Sequence, residues 1–114
     1  MRLFRTLLTA AAVSALMVGA SHAQDVKTAE ALRDKALLEL MYACGLRATE
    51  AIELEVSDVD LDAGLLRARG KGAKERLVPV GRSAVHALRM WLARGRPQLV
   101  GERLESRLFV NRRG

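Results

Sequence analysis

Cysteine occurs once in this sequence, as Cys44, so neither an internal disulfide nor a multi-cysteine zinc site can be built. Histidine occurs only as His22 and His86, which leaves no His-rich metal cluster. Tyrosine occurs once, as Tyr42, and no internal repeat is visible. A chain of 114 residues holds one compact domain at most. Half of it is hydrophobic and 28% is charged, a balance that excludes a disordered composition.

What is present is an uneven distribution of charge. The net charge of +6 divides into +2 over residues 1–23, −6 over 24–63 and +10 over 64–114. The basic second half would attract a polyanion, nucleic acid first among them. A solvated surface carries the same charges, so charge alone does not choose.

Residues 1–23 have the three-part layout of a secretory signal peptide. A basic start, Met1 to Arg5, precedes an uncharged alanine-rich run from Leu7 to Ala20. Ser21-His22-Ala23 then supplies small residues at the two positions that signal peptidase reads. The apolar run is too short for a comfortable membrane span. Cleavage would leave a mature chain starting near Gln24, with residues 24–114 as the folded unit.

Beyond Asp25–Thr28, expected as an entry segment, the spacing predicts a helix over Ala29–Ala43. Leu37, Leu40, Met41 and Cys44 fall on one face of it. Gly45 is the expected stop. A short helix follows from Ala48 to about Leu54. Ser57 to Asp62 alternates and is expected to begin a strand that ends at the turn Ala63-Gly64. Leu65–Arg69 alternates more clearly, with Leu66 and Ala68 on the face opposite Leu65, Arg67 and Arg69. Gly70 to Lys74 is a glycine-bearing turn, and Glu75–Val80 is the return strand. Pro79 lacks a ladder donor, which places it at a strand end or an edge. Ser83–Arg94 is helical again, with Ala84, Val85, Leu88, Trp91 and Leu92 on one stripe and His86 opposite. Arg96-Pro97 is expected to break that helix. Leu108-Phe109-Val110 is a candidate strand. The fold class is α+β, with helices packed on a small three-stranded antiparallel sheet.

Two segments in register carry a family resemblance. Leu40-Met41-Tyr42-Ala43-Cys44-Gly45-Leu46-Arg47-Ala48-Thr49-Glu50 and Gly70-Lys71-Gly72-Ala73-Lys74-Glu75-Arg76-Leu77-Val78-Pro79-Val80 resemble two segments of Xer-type tyrosine recombinases, of the phage integrase family. Ser57–Arg67, between them, fits in length and pattern. Gly95-Arg96-Pro97 and Leu108–Asn111 continue the likeness, so it runs over about residues 32–114 without a gap.

The resemblance implies an incomplete recombinase catalytic domain that acts on DNA, beside other protomers, with neither metal nor nucleotide cofactor. Arg47 matches the first catalytic arginine, which holds the scissile phosphate. Lys71 matches the lysine of the β-hairpin, a proton donor to the leaving 5′-oxygen. Glu50 matches an acidic residue that braces the site from behind. Arg69, Lys74 and Arg76 flank the same hairpin and suit phosphate contacts that position DNA. These residue types fit the chemistry. A guanidinium offers a planar pair of donors and a charge that does not titrate, and a partly desolvated lysine can give up a proton at neutral pH.

There are departures from the family pattern. The sequence stops at Gly114, before the family's His-x-x-Arg pair and its late tyrosine nucleophile. Tyr42 matches a structural tyrosine five residues before the arginine, not the nucleophile. The signal-like leader stands where a helical DNA-clamping domain is expected. Cys44, Thr49 and Ala73 replace the usual Thr or Ser, Ser, and Asn. The expectation is a half-built site that binds DNA without cleaving it. The family is cytoplasmic, whereas a functional leader implies export, and the competing reading is a small exported basic binding protein without catalysis.

Overall fold

The computed structural model describes residues 25–69 and 74–111. The leader expected over residues 1–23 and the part of the expected turn over Gly70–Ala73, with Lys71 in it, lie outside the described residues.

Helix α1 runs over residues 25–44. Ala29, Ala36 and Leu40 are fully buried along one stripe, flanked by half-buried Val26, Leu32, Leu37, Met41 and Cys44. The segment Asp25–Thr28, expected as an entry segment ahead of the helix, belongs to it, because Val26 and Ala29 extend the same apolar stripe by a turn. Gly45 ends α1 at φ 62°, a left-handed conformation that residues with a Cβ seldom adopt. Burial pushes the Cys44 thiol above its usual pKa, and its sulfur lies 3.6 Å from the Pro79 carbonyl.

Helix α2 (Ala48–Glu53) is one turn and a half, with Leu54 as its buried C-cap. A single 3₁₀ turn, Val56–Asp58, follows. Only two residues, Val59–Asp60, then form β1, so the strand expected from Ser57 starts later. The cause is local: the Asp58 carboxylate folds back and accepts the Glu55 backbone N–H at 2.9 Å, closing the turn before pairing can begin.

Strands β2 (Leu65–Arg69) and β3 (Glu75–Pro79) form an antiparallel pair whose register runs from Leu65↔Pro79 to Arg69↔Glu75. The sheet order is β1-β2-β3, all antiparallel, with β3 at an edge and Pro79 as its last residue. Leu66 and Ala68 are buried, whereas Leu65, Arg67 and Arg69 face outward, as the alternation predicts.

Helix α3 (Arg82–Met90) buries Ala84, Ala87 and Leu88 and exposes His86. Its axis does not stop at Arg96-Pro97, contrary to expectation. A π-helical turn, Trp91–Gly95, leads directly into α4 (Arg96–Val100). Arg96 donates its N–H to the Trp91 carbonyl, one residue further back than in an α-helix. The widened turn puts Pro97 in the first turn of α4, where an N–H is not needed. Leu108–Val110 forms no strand. Single hydrogen bonds, Leu108 N–H to the Leu54 carbonyl and Val56 N–H to the Ser106 carbonyl, fasten it alongside the 54–56 segment.

Trp91 is the centre of the core. It is fully buried, donates its indole N–H to the Leu108 carbonyl at 2.8 Å, and stacks on Phe109 with centroids 6.5 Å apart. Gly95 lies directly against the indole. A Cβ there would fall inside contact distance of Trp91 Cε3, 2.9 Å from Cζ3 and 3.2 Å from the Ala29 carbonyl oxygen. The missing side chain at position 95 is what lets α1 and the indole share that space. On the outer surface, Leu38 and Tyr42 stand one turn apart on α1 and are exposed, Tyr42 to 92%.

Candidate functional site

The end of α1, the start of α2 and the strands β2 and β3 enclose an open cleft of about 680 Å³. Gly45, Arg47, Thr49, Glu50, Glu53, Arg69 and Arg76 line it. Of the residues singled out in the sequence, the fold thus brings Arg47, Glu50, Arg69 and Arg76 to one place. Lys74 is exposed, is absent from that lining and precedes β3. Lys71 lies outside the described residues, two positions after Arg69.

Arg47 stands at the N-cap of α2, held in extended backbone geometry at φ −75°, ψ 154° by the turn that Gly45 permits. The first N–H groups of a helix lack partners, and an arginine side chain has no acceptor to offer them. Glu50, three residues on, makes the reverse half of a capping box by accepting the Arg47 backbone N–H at 3.1 Å. Its other carboxylate oxygen takes the Arg76 guanidinium, also at 3.1 Å. One carboxylate therefore joins α2 to β3. The Glu50 side chain is 13% exposed and the Arg76 side chain 50%.

These contacts hold the Glu50 carboxyl below its ordinary pKa. The Arg47 backbone N–H contributes most, ahead of the charge and hydrogen bond of Arg76 and the charge of Arg47, while desolvation opposes them. A carboxylate whose pKa is lowered on folding stabilises the fold above the unfolded value, near 4.5, and loses that contribution as pH falls through the folded value. Glu50→Gln is therefore expected to melt below wild type at pH 7, with the gap closing when melts are repeated at an acid pH where the folded-state carboxyl is protonated. A gap that is the same at both pH values would contradict this arrangement.

The three arginines are not equally available. Arg76 is paired with Glu50, and Arg69 donates to Asp58 at 3.2 Å with Glu75 4.0 Å from its Nε. Among the described residues, the Arg47 guanidinium makes no hydrogen bond or ion pair, and it is exposed. Of these three arginines it is the one whose whole guanidinium is left, among the described residues, to meet an anion entering the cleft. Sequence reasoning missed Asp58, which reads as one acidic residue of an alternating acidic stretch. In the fold its side chain is 1% exposed and accepts from both Arg67 and Arg69. Among the described residues no group of three or more His, Cys, Asp or Glu side chains could hold a metal ion. None of the helices there is long and apolar enough to cross a membrane.

Comparison with known proteins settles the ancestry. The model of the phage integrase family matches residues 7–114. The chain belongs to the phage integrase family. Within this family it is similar to tyrosine recombinase XerC of Pelotomaculum thermopropionicum, 46% identical over 96 residues that make up 81% of this chain and 31% of that protein. It is similar also to tyrosine recombinase XerD of Mycobacterium tuberculosis, 45% identical over 108 residues, 94% of this chain and 35% of that protein. The crystal structure of XerA recombinase superposes with a TM-score of 0.63 at 30% identity, covering 82% of this chain and 33% of that one. The chain thus spans about a third of the length of the integrase-family relatives it matches. Its helices and three-stranded antiparallel sheet are those of part of a tyrosine recombinase. The family match begins at residue 7, inside the segment that has the layout of a leader.

Proposed function

We propose that this chain is a DNA-binding part of a site-specific tyrosine recombinase, carrying half of a phosphate-binding site. The observation that carries the reading is the Arg47 guanidinium, unpaired among the described residues in a cleft that Arg69 and Arg76 also line. In this reading Arg47 donates a planar pair of hydrogen bonds to the non-bridging oxygens of a DNA phosphate, where charge builds during phosphoryl transfer. Glu50 braces it by holding the Arg47 backbone, and Arg76 in turn holds Glu50. Lys71 serves as proton donor to the leaving 5′-oxygen. Arg69, Lys74 and the outward donors of Arg76 take flanking phosphates and set the register of the duplex.

Within these 114 residues the one tyrosine, Tyr42, points to solvent from α1 and does not line the cleft. Covalent catalysis needs a nucleophile in reach of the phosphate. The chain is therefore expected to bind duplex DNA and to form no covalent adduct with a nicked suicide substrate. Denaturing electrophoresis detects the adduct, and its appearance would refute the half-site. Binding is checked by gel shift, where Arg69→Ala and Lys71→Ala are each expected to weaken the complex. Equal binding by wild type and both variants would refute the assignment of the hairpin.

A second reading, a small exported basic binding protein, is favoured by the leader-like layout of residues 1–23. The family match that reaches back to residue 7 speaks against it. Intact mass of the expressed chain separates the two: a mature terminus near Gln24 supports export, and an uncut Met1 or Arg2 terminus excludes it.

A further inference from the structure

We infer that Asp58 is a positioning residue, which fixes the Arg69 guanidinium at the wall of the cleft so that it meets a DNA phosphate already oriented. The inference rests on the DNA-binding reading above. Asp58 is buried, with its side chain 1% exposed, whereas its neighbours Asp60 and Asp62 are exposed. One carboxylate oxygen is anchored to backbone, through the Glu55 N–H at 2.9 Å. The other receives Arg67 Nε and Nη2 and Arg69 Nη2, all at 3.2 Å.

Arg67 and Arg69 are i and i+2 on β2, so their side chains leave the same face of the sheet and converge on that one oxygen. A buried carboxylate is costly unless paired, so the arginines are drawn to it rather than left to sample solvent. Arg69 is the one that also lines the cleft beside Arg47. Its side chain remains 47% exposed, and among the described residues its Nη1 has no partner. A long side chain that is already ordered loses less rotamer freedom when it binds. Asp58 supplies that order from a place no ligand touches.

A pure charge account predicts the opposite sign for the same substitution. If Asp58 merely offset positive charge, Asp58→Asn would strengthen the attraction for DNA. Positioning predicts weaker binding, about tenfold, and a slope of log affinity against log salt that is shallower by about one phosphate contact.

The test is fluorescence anisotropy of the full chain on a labelled duplex across a salt series, for wild type, Asp58→Asn, Arg69→Ala, the double variant and Arg69→Lys. The expected result is that Asp58→Asn and Arg69→Ala weaken binding alike and that the double variant is no worse than Arg69→Ala. A general loss of folding would scale the affinity and leave the salt slope unchanged. Arg69→Lys keeps the charge on an exposed side chain and changes only the geometry, so it decides the matter even if circular dichroism shows Asp58→Asn unfolded. It is expected to bind like Arg69→Ala. Wild-type affinity in Arg69→Lys, or equal or tighter binding by folded Asp58→Asn, overturns the inference alone. Absence of binding by the wild-type chain overturns the DNA-binding reading and this inference with it.

Discussion

Trp91→Ala is expected to cost about 3–5 kcal/mol of stability, the largest effect of any single substitution in the core. The indole is fully buried, its N–H satisfies the Leu108 carbonyl, and Phe109 stacks on one face of it. Truncation removes the largest fully buried side chain, leaves a cavity between α1 and the π-helical turn, and orphans a buried carbonyl. A small domain has a total stability of only about 5–15 kcal/mol, so a large part of it would be lost. At about 4 °C per kcal/mol or more, the midpoint of a circular dichroism melt should drop by at least about 12 °C. Trp91→Phe keeps part of the packing but loses the hydrogen bond and the volume of one ring, so it should fall between wild type and Trp91→Ala. Gly95→Ala reaches the same contact from the other side, because neither the buried indole nor the α1 backbone can retreat, and is expected to cost about 1–3 kcal/mol. A Trp91→Ala melt within a few degrees of wild type would mean that the indole is not the centre of this core.

The second large effect concerns salt. If Arg47, Arg69, Lys71 and Lys74 each neutralise one phosphate, raising salt from about 50 to about 200 mM should weaken duplex binding on the order of a hundredfold. The figure follows from counterion release, which scales the slope with the number of phosphates engaged. Arg47→Ala should make the slope shallower by about one contact and weaken binding on every sequence alike, since a phosphate contact carries no base information. The site makes a further distinction. Arg76 has the Glu50 carboxylate as its own counter-charge, whereas Arg69 shares one Asp58 oxygen with Arg67, so Arg76→Ala is expected to change the slope less than Arg47→Ala does. Affinity that stays constant over the salt range would remove the electrostatic basis of the proposed function.

The strands β2 and β3 were legible because the alternation over Leu65–Arg69 and a glycine-bearing turn are local signals, and the structure adds the register, from Leu65↔Pro79 to Arg69↔Glu75. The break at Gly45 was legible for the same reason, as was the family, since Leu40–Glu50 and Gly70–Val80 carry it in their own letters. The path through Arg96-Pro97 was not. A proline ordinarily ends a helix, and only packing of Trp91 against Gly95 and α1 makes a π-helical turn the better solution. Leu108–Val110 looked like a strand because it is apolar. It is buried instead by anchoring to the 54–56 segment and to the indole, with no long partner to pair with.

Composition and local spacing were thus enough for the basic second half, the α+β class and the hairpin, and the likeness of Leu40–Glu50 and Gly70–Val80 to two recombinase segments was enough for the family, because each depends on neighbours along the chain. The ion pair that ties Glu50 to Arg76, the burial of Asp58 and, among the described residues, the freedom of the Arg47 guanidinium were decided by the fold. Those properties depend on which oxygen each arginine meets across more than one element, and an ion pair between α2 and β3 leaves no trace in the order of residues.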